Sequence, residues 1–363
     1  MRRMGPGIGV LVPGWDPDSH SMGIQSGDSF VPWRIPGCAL AACTNSGVYG
    51  STVVAFPADP CVNGTFAVDA TWAKGADWTI NGGVAKHAAV GANDLTQACL
   101  TVGNTFIITY TVTQQTAGNI TVYAGTTAGT ARTAPGTYTE TLLCAGNTTL
   151  AFKADAACDA WIDNVVLQPR NAASFTDLSG NGHHPVQATA NKQPLWVASG
   201  SGGVLRFDGT DDYLKAAAFT LDQPAHVFVL GKYTTGAGTA YLWDGNAADK
   251  GACYRVAAPN NNSYVYAGGG AAISLASANS TWYVYDATYN GASSLAGLNG
   301  AVPSGANIGA NNPGGFTLCA AGSGNARIAA DIAAVIVFSR ALAEPDRQRV
   351  VRWLNRQKAM LAL

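Results

Sequence analysis

Charged residues are scarce in this chain of 363 residues. They make up 12% of it, about half of the roughly 25% that is usual in soluble domains, and 21 basic residues nearly balance 22 acidic ones. A net charge of −1 provides no basic surface to attract nucleic acid or an anionic membrane, so neither is expected as a partner. Because so little charge keeps copies apart, we expect association with other proteins or with further copies of this chain.

Long apolar runs are also missing. No uninterrupted stretch approaches the roughly 18 residues that a membrane-spanning helix needs, so no membrane insertion is expected. The basic start at residues 1–4 precedes an apolar run that Gly and Pro interrupt, and no small-residue cleavage site follows it. We therefore predict that this segment is not a signal peptide and that the protein is made in the cytoplasm.

The eight cysteines lack the spacing of a metal site. None belongs to a Cys-x-x-Cys pair or stands beside histidines at zinc-ligand spacing, so no metal ligand is predicted among them. Without a secretion signal, we expect free and mostly buried thiols rather than disulfides. The cysteines occupy positions 38, 43, 61, 99, 144, 158, 253 and 319.

Glutamate occurs only twice, as Glu140 and Glu344. A glycoside hydrolase built on a β-sandwich needs two carboxylates that face each other across a groove, roughly 5–10 Å apart. The sequence also lacks a Gly-x-Ser-x-Gly elbow, a Gly-x-x-x-x-Gly-Lys phosphate loop and a His-Glu-x-x-His zinc motif. These absences predict that the chain is not an enzyme, and no residue is predicted to be catalytic.

The first sixty residues differ in composition and hydrophobic periodicity from the rest. Residues 1–60 carry seven of the sixteen prolines and many glycines, without lasting helical or strand periodicity. A segment of this length without structure of its own is uncommon inside a compact domain. It predicts an extended N-terminal arm that anchors the chain on a neighbouring protein.

Two β-rich regions follow, at residues 61–168 and 172–363. Both contain short runs of Val, Ile, Thr, Tyr and Trp between Gly and Asn turns, which predicts an all-β fold of two antiparallel β-sandwich jelly-roll domains. A short C-terminal helix is predicted at residues 344–359, because Val350, Val351 and Leu354 form one apolar stripe. The clearest strands are predicted at residues 106–112, 120–123, 137–143, 160–167, 204–207, 225–230, 281–285 and 330–338.

One motif in the second β-rich region is specific. It consists of Asp177-Leu178-Ser179-Gly180-Asn181-Gly182-His183-His184, followed by Val204-Leu205-Arg206-Phe207-Asp208-Gly209-Thr210-Asp211-Asp212-Tyr213-Leu214. Over about residues 172–360 the chain resembles the laminin-G-like, concanavalin A-like jelly-roll family, which implies a sandwich closed by a strand and a short helix. We expect the Asp, Asn and Gly residues of the turn to serve folding, through positive φ angles and side-chain bonds to the local backbone.

Three aspartates in this motif have two interpretations. Asp208, Asp211 and Asp212 fit a turn that bonds its own backbone, and this interpretation is favoured because EF-hand spacing is absent. Calcium is the alternative, since members of the family that the chain resembles sometimes bind it. No other cofactor is predicted, and His183 and His184 are expected to be polar loop residues.

The first β-rich region carries a weaker signal. Its sequence opens with Asn63-Gly64-Thr65-Phe66 and closes with Trp161-Ile162-Asp163-Asn164-Val165. Over residues 61–168 it resembles the carbohydrate-binding-module-like jelly rolls that are appended to phage virion proteins. Residues 31–44 are similar to the first strand of the laminin-G-like phage domains, so either the arm extends to residue 60 or residues 61–168 are inserted into the C-terminal domain.

Aromatic side chains are the candidate ligand contacts. Sugar-binding proteins stack aromatic faces on the apolar faces of pyranose rings. Most tryptophans lie within strand or helix patterns and are expected in the core, whereas four tyrosines near loops are candidates for exposure. An exposed aromatic row on one sheet would favour sugar binding over a purely architectural role. The four tyrosines are Tyr233, Tyr241, Tyr264 and Tyr266.

Two functions follow from these features. The first is a structural component of a tailed-phage virion, an exterior head decoration or fibre protein held to other virion proteins by its arm and forming a homo-oligomer, with a trimer implied by resemblance to phage fibres. The second is a carbohydrate-binding adhesin of the tail or baseplate that recognises host-surface glycan. The expected location in both is the exterior of the virion, and no individual binding residue is predicted.

Overall fold

The computed structural model describes residues 30–44, 54–55, 58–88, 91–234, 238–256 and 262–363. Most of the predicted N-terminal arm, at residues 1–29, 45–53 and 56–57, lies outside the described residues. Within the described ranges, no helix is long and apolar enough to cross a membrane.

Residues 58–170 form two five-stranded antiparallel sheets. Their strand orders are β10-β7-β12-β5-β4 and β3-β6-β11-β8-β9, counted after the two short strands β1 (Cys38–Cys43) and β2 (Val54–Ala55). The strands are β3 (Ala73–Lys74), β4 (Trp78–Asn81), β5 (Val84–His87), β6 (Asp94–Ala98), β7 (Thr105–Ala117), β8 (Ile120–Ala124), β9 (Thr127–Ala128), β10 (Gly136–Leu143), β11 (Thr149–Ala154) and β12 (Asp159–Pro169).

Alternation along these strands produces the core between the two sheets. In β7, buried Phe106, Ile108, Tyr110 and Val112 alternate with threonines and Ile107 on the outer face. Ring centroids of Tyr110 and Phe152 lie 5.1 Å apart in an edge-to-face contact inside this core. The predicted strands at 106–112, 120–123, 137–143 and 160–167 are therefore confirmed.

Of the remaining strands, β2 and β13 pair as a two-stranded sheet, and the others form an eight-stranded and a six-stranded sheet that enclose a second core. The larger sheet has the order β14-β15-β26-β17-β22-β23-β24 with β1 beside β26, and the smaller has the order β16-β25-β18-β19-β20-β21. The strands are β13 (Ser174–Phe175), β14 (Leu195–Ser199), β15 (Gly202–Asp208), β16 (Leu214–Lys215), β17 (Ala225–Tyr233), β18 (Ala240–Asp244), β19 (Ala252–Arg255), β20 (Asn262–Tyr266), β21 (Ile273–Ala276), β22 (Tyr283–Tyr289), β23 (Ser294–Leu298), β24 (Ser304–Ala306), β25 (Thr317–Leu318) and β26 (Ala329–Phe338).

Strand β1 pairs with a strand that is remote in sequence. Cys38 lies opposite Phe338 and Cys43 opposite Ala334, so β1 completes the eight-stranded sheet next to β26. Asp177 of the specific motif accepts a hydrogen bond from the Ala41 N–H at 3.0 Å and another from the Ser179 N–H at 2.9 Å. The turn thus bonds its own backbone as predicted, and it also holds β1.

A single helix of some length covers the outer face of the eight-stranded sheet in the described part of the chain. This helix, α1 (Glu344–Met360), confirms the prediction at 344–359 and buries Val350, Val351 and Leu354. Short 3-10 turns lie at Pro32–Arg34, Ala190–Lys192 and Gly291–Ser293. The predicted fold class, an all-β antiparallel sandwich architecture with a C-terminal helix, is confirmed.

An ion pair joins α1 to the sheet beneath it. The Arg347 guanidinium donates to both carboxylate oxygens of Asp286 in β22, at 3.1 and 2.8 Å, and also to Glu344 and the Ala301 carbonyl. Arg347 is 3% exposed and Asp286 is 1% exposed. Burial alone would raise the pKa of Asp286, but His226 and Arg347 beside it hold that pKa below its ordinary value.

Candidate functional site

Three tyrosines form a row across the outer face of the six-stranded sheet. Tyr241 in β18 lies opposite Tyr254 in β19, which in turn lies opposite Tyr264 in β20. Ring centroids are 5.6 Å apart for Tyr241 and Tyr254, and 5.7 Å apart for Tyr254 and Tyr264. Tyr266 stands beside the row, with its ring edge-on to Tyr254 at 6.3 Å. We call Tyr241, Tyr254 and Tyr264, together with the adjoining Tyr266, the tyrosine row.

Strand alternation places these side chains outside. Each of Tyr254, Tyr264 and Tyr266 is half-buried, and its immediate neighbours in the strand are buried. In β18 the register shifts between Tyr241 and Trp243, so Tyr241 faces outward although the three residues after it are all buried. Such a bulge redirects one side chain without breaking the strand.

The underside of the sheet is fixed to the rest of the domain. Trp243 is completely buried, and its indole N–H donates to the Tyr289 hydroxyl of β22 at 2.9 Å. That hydroxyl donates in turn to the Ala252 carbonyl of β19 at 3.0 Å. These two bonds connect β18 and β19 to the opposite sheet, so the tyrosine row is presented by a rigid support.

A buried carboxylate organises the turn at one end of the row. Asp244 accepts hydrogen bonds from the backbone N–H groups of Gly245, Asp249, Lys250 and Gly322 at 2.8 to 3.0 Å. Burial raises the pKa of Asp244 to about 6, although these four donors oppose the shift. The turn that it fixes between β18 and β19 carries the one carboxylate that bonds a hydroxyl of the row among the described residues.

Asp249 is that carboxylate. It accepts a hydrogen bond from the Tyr241 hydroxyl at 2.8 Å, and burial together with Asp249 raises the pKa of Tyr241. The other three hydroxyls of the row have no hydrogen-bond partner among the described residues, and they are therefore available to a ligand. At the far end, the Asn262 amide donates to the Ser274 hydroxyl at 2.9 Å, opposite Tyr264.

The structure separates the four tyrosines that the sequence singled out. Tyr241, Tyr264 and Tyr266 are partly exposed and lie together, as the exposure hypothesis expected. The expectation for Tyr233 is wrong, because its side chain is fully buried beneath the Arg255 guanidinium, 4.3 Å from its ring centroid. Tyr254, the centre of the row, was missed, because the charged residue that follows it, Arg255, is buried and hides the alternation of inward and outward residues in its strand.

Most of the tryptophans in the described part of the chain are buried. The expectation of core tryptophans is met at Trp72, Trp78, Trp243, Trp282 and Trp353, which are at most 9% exposed. Trp161 and Trp196 are partly exposed instead. The predicted loop histidines have structural contacts: the His183 ring stacks on Phe219 at 3.8 Å, and His184 accepts a bond from the Asp177 N–H.

Asp208, Asp211 and Asp212 lie together, as both of their interpretations require. One ligand oxygen from each lies within 4.8 Å of the others, so the three carboxylates could hold a metal ion. Asp208 accepts the backbone N–H groups of Thr210 at 2.7 Å and Asp211 at 3.3 Å, which is the turn role. Burial, and then the charge of Asp208, raise the pKa of Asp212 to about 8.

All eight cysteines are free thiols. Cys43, Cys144, Cys158, Cys253 and Cys319 are buried. Burial raises the pKa of Cys38, Cys61 and Cys99 to about 12, so these thiols are poor nucleophiles at neutral pH.

Comparison with solved structures finds distant similarities. The chain is similar to Trypanosoma rangeli sialidase at 11% identity, covering 67% of this chain and 45% of that one, with a TM-score of 0.38. It is also similar to the binding domain of Paraclostridial Mosquitocidal Protein 1, at 14% identity, covering 49% of each chain, with a TM-score of 0.38. This chain spans less than half the length of the sialidases. No family model and no curated protein matches it.

The sequence-based prediction that the chain is not an enzyme is corrected by these comparisons. Sialidases are enzymes, and they are among the structures to which the chain is similar. The scarcity of glutamate was poor ground for the prediction, because aspartate supplies nearly all of the 22 acidic residues. Similarity this distant assigns no activity to the chain, and it supports neither a phage origin nor the laminin-G-like assignment.

Proposed function

We propose that this chain binds carbohydrate through the tyrosine row on its six-stranded sheet. The observation that carries the proposal is the in-register alignment of Tyr241, Tyr254 and Tyr264 on three adjacent strands. Their rings are partly exposed, whereas the opposite face of the same strands is buried in the core. Partly exposed tyrosines offer an apolar ring face and a polar hydroxyl, the combination that sugar rings require.

A sugar ligand also explains why the support is rigid. Stacking on a pyranose ring gives little energy per ring, so a platform that must be ordered on binding would lose much of it. The bonds from Trp243 to Tyr289 and from Tyr289 to Ala252 fix the strands before a ligand arrives. Weak sites of this kind reach useful strength when several copies act together.

The proposal is tested by binding to a printed glycan array. The wild-type protein, the Tyr254→Ala variant and the Tyr123→Ala variant are compared at equal concentration. Tyr123 is the matched control, because it is a half-buried tyrosine on the outer face of another sheet, with the Lys153 ammonium 4.8 Å from its ring centroid. We expect wild type and Tyr123→Ala to bind the same glycans and Tyr254→Ala to lose them. Equal binding by wild type and both variants, or no binding of any glycan by wild type, contradicts the proposal.

The virion role is a further proposal, and it rests on the sequence resemblance alone. In that role the chain is an exterior head decoration or fibre, a homo-oligomer held to other virion proteins by its N-terminal arm. Immunogold electron microscopy of particles from the source, with antibody against residues 172–363, tests it. Label on the capsid supports a decoration, label at the tail supports an adhesin, and unlabelled particles contradict the virion role.

Calcium at Asp208, Asp211 and Asp212 is likewise a proposal. It is supported by the closeness of the three carboxylates, and thermal melting with and without added calcium tests it.

A further inference from the structure

The direction of the tyrosine row restricts the shape of its ligand. Cross-strand pairs lie perpendicular to the strands, so Tyr241, Tyr254 and Tyr264 define a line across β18, β19 and β20. A single sugar ring covers one tyrosine ring and leaves the other two unused. An extended chain of linked sugars lying along this line reaches all three rings in turn, as successive bases reach the aromatic platforms of single-strand-binding proteins.

The charges around the row restrict the chemistry of that ligand. Acidic sugars are usually recognised by the paired N–H groups of an arginine. The arginine of these strands, Arg255, points to the opposite face, where it is buried and bonds Asn279 and the Ser277 carbonyl. The turn at the Tyr241 end contains Asp249 and Lys250, which cancel in charge, and the carboxylate of Asp249 is the group that contacts the row.

The polar groups at the row suit hydroxyls rather than ions. Tyr254, Tyr264 and Tyr266 present hydroxyls without partners among the described residues, and Asn262 and Ser274 form a neutral pair beside Tyr264. Hydroxyl and amide groups both donate and accept, as sugar hydroxyls do. From the line of rings and these neutral surroundings, we infer that the tyrosine row binds an uncharged, unbranched saccharide of at least three units that lies across the strands. This inference rests on the proposed function and adds the class of the ligand.

Calorimetric titration of the full chain with two series of oligosaccharides tests the inference. The first series contains neutral β-linked and α-linked glucose oligomers of one to six units, and the second contains galacturonic acid oligomers of the same lengths. For a neutral series that binds, we expect affinity to rise at least tenfold between one unit and three and to change little beyond the length that fills the row. At equal length, we expect the acidic oligomers to bind at least tenfold more weakly.

Variants separate this inference from the proposed function. Tyr254→Ala and Tyr264→Ala should each lower the affinity for the three-unit oligomer at least tenfold, whereas Tyr123→Ala should not change it. Circular dichroism of each variant checks that it is folded, and either row variant suffices if the other fails to fold. The ligand class is overturned, and the proposed function stays intact, if the row variants lose binding while wild type binds acidic oligomers or single sugars as tightly as neutral trimers. Undiminished binding in the row variants, or no binding of either series by wild type, overturns both.

Discussion

The ion pair between Arg347 and Asp286 offers the sharpest test of how α1 is held on the sheet. In the Arg347→Met variant the side chain keeps a similar length, but Asp286 loses both guanidinium hydrogen bonds and stays buried. Removal of one partner from a buried pair costs about 3–5 kcal/mol, because the remaining charge is uncompensated. We therefore expect the free energy of unfolding to fall by about this amount.

The measurement is urea unfolding at pH 7, followed by tryptophan fluorescence, with a matched control. Lys74→Met is the control, because the Lys74 and Asp69 side chains are 29% and 50% exposed and form a surface pair that contributes about 0–1 kcal/mol. In thermal melts the same losses correspond to a decrease of about 6–20 °C for Arg347→Met, at about 2–4 °C per kcal/mol for domains of 150–250 residues. A loss no larger than that of Lys74→Met would refute the reasoning.

The pH dependence provides an independent check. Since the pKa of Asp286 is lowered in the folded wild type, its ionised form contributes stability above the ordinary aspartate pKa of about 4, and this contribution is lost as the pH falls through the lowered pKa. In the variant only His226 remains beside the buried carboxylate of Asp286, so we expect its pKa to be higher than in wild type and part of its contribution at neutral pH to be lost. The difference between wild type and variant should therefore be larger at pH 7 than at pH 3. A difference that is independent of pH would mean that the loss is one of packing.

Three further results are expected. Because the pKa of Asp212 is raised to about 8, the folded protein loses stability as the pH rises from about 4 to 8. Thermal melts of the Asp212→Asn variant should not show this loss. A rise in the melting temperature on adding calcium, seen in wild type and not in this variant, would support the calcium proposal. Gly64→Ala should lower stability by more than 2 kcal/mol in urea, because its new Cβ would lie 2.0 Å from the Val165 carbonyl oxygen, whereas Gly270→Ala, with open space, should cost about 1 kcal/mol or less. A fragment of residues 58–170 should unfold cooperatively by itself, because its core is closed within that range; a fragment without a thermal transition would argue against an independent domain.

Local patterns in the sequence predicted the elements well. The threonines of β7 alternate with core residues, and the apolar stripe of α1 repeats at helical spacing, so each element can be recognised without knowledge of its neighbours. The turn at Asp177 was predicted for the same reason, since its glycines and its Asp and Asn side chains act on their own backbone. What these patterns did not predict is that the Asp177 turn would also hold β1.

The site was predicted only in part because its geometry depends on register. Tyr254 belongs to the row because three strands align, and no feature of its own strand reports that alignment. Tyr233 was misjudged because its strand, β17, is covered on both faces, by the smaller sheet and by α1, so its position near a loop does not expose it. The burial of Arg255 could not be predicted from the sequence either, since this charged residue beside Tyr254 lies inside the core.

The pairing of β1 with β26 affects how the chain folds during its synthesis on the ribosome. Roughly 290 residues separate Cys43 from its partner Ala334. At a synthesis rate of about 5–20 residues per second, β1 leaves the ribosome on the order of 15–60 s before the strand that it must join. During that interval residues 58–170 have time to fold, because their sheets need no later segment. The apolar strand β1 meanwhile has no partner strand, so its edge remains unpaired. We therefore expect β1 to be the segment of the nascent chain that is most prone to aggregation, and the segment that a bound chaperone would protect most.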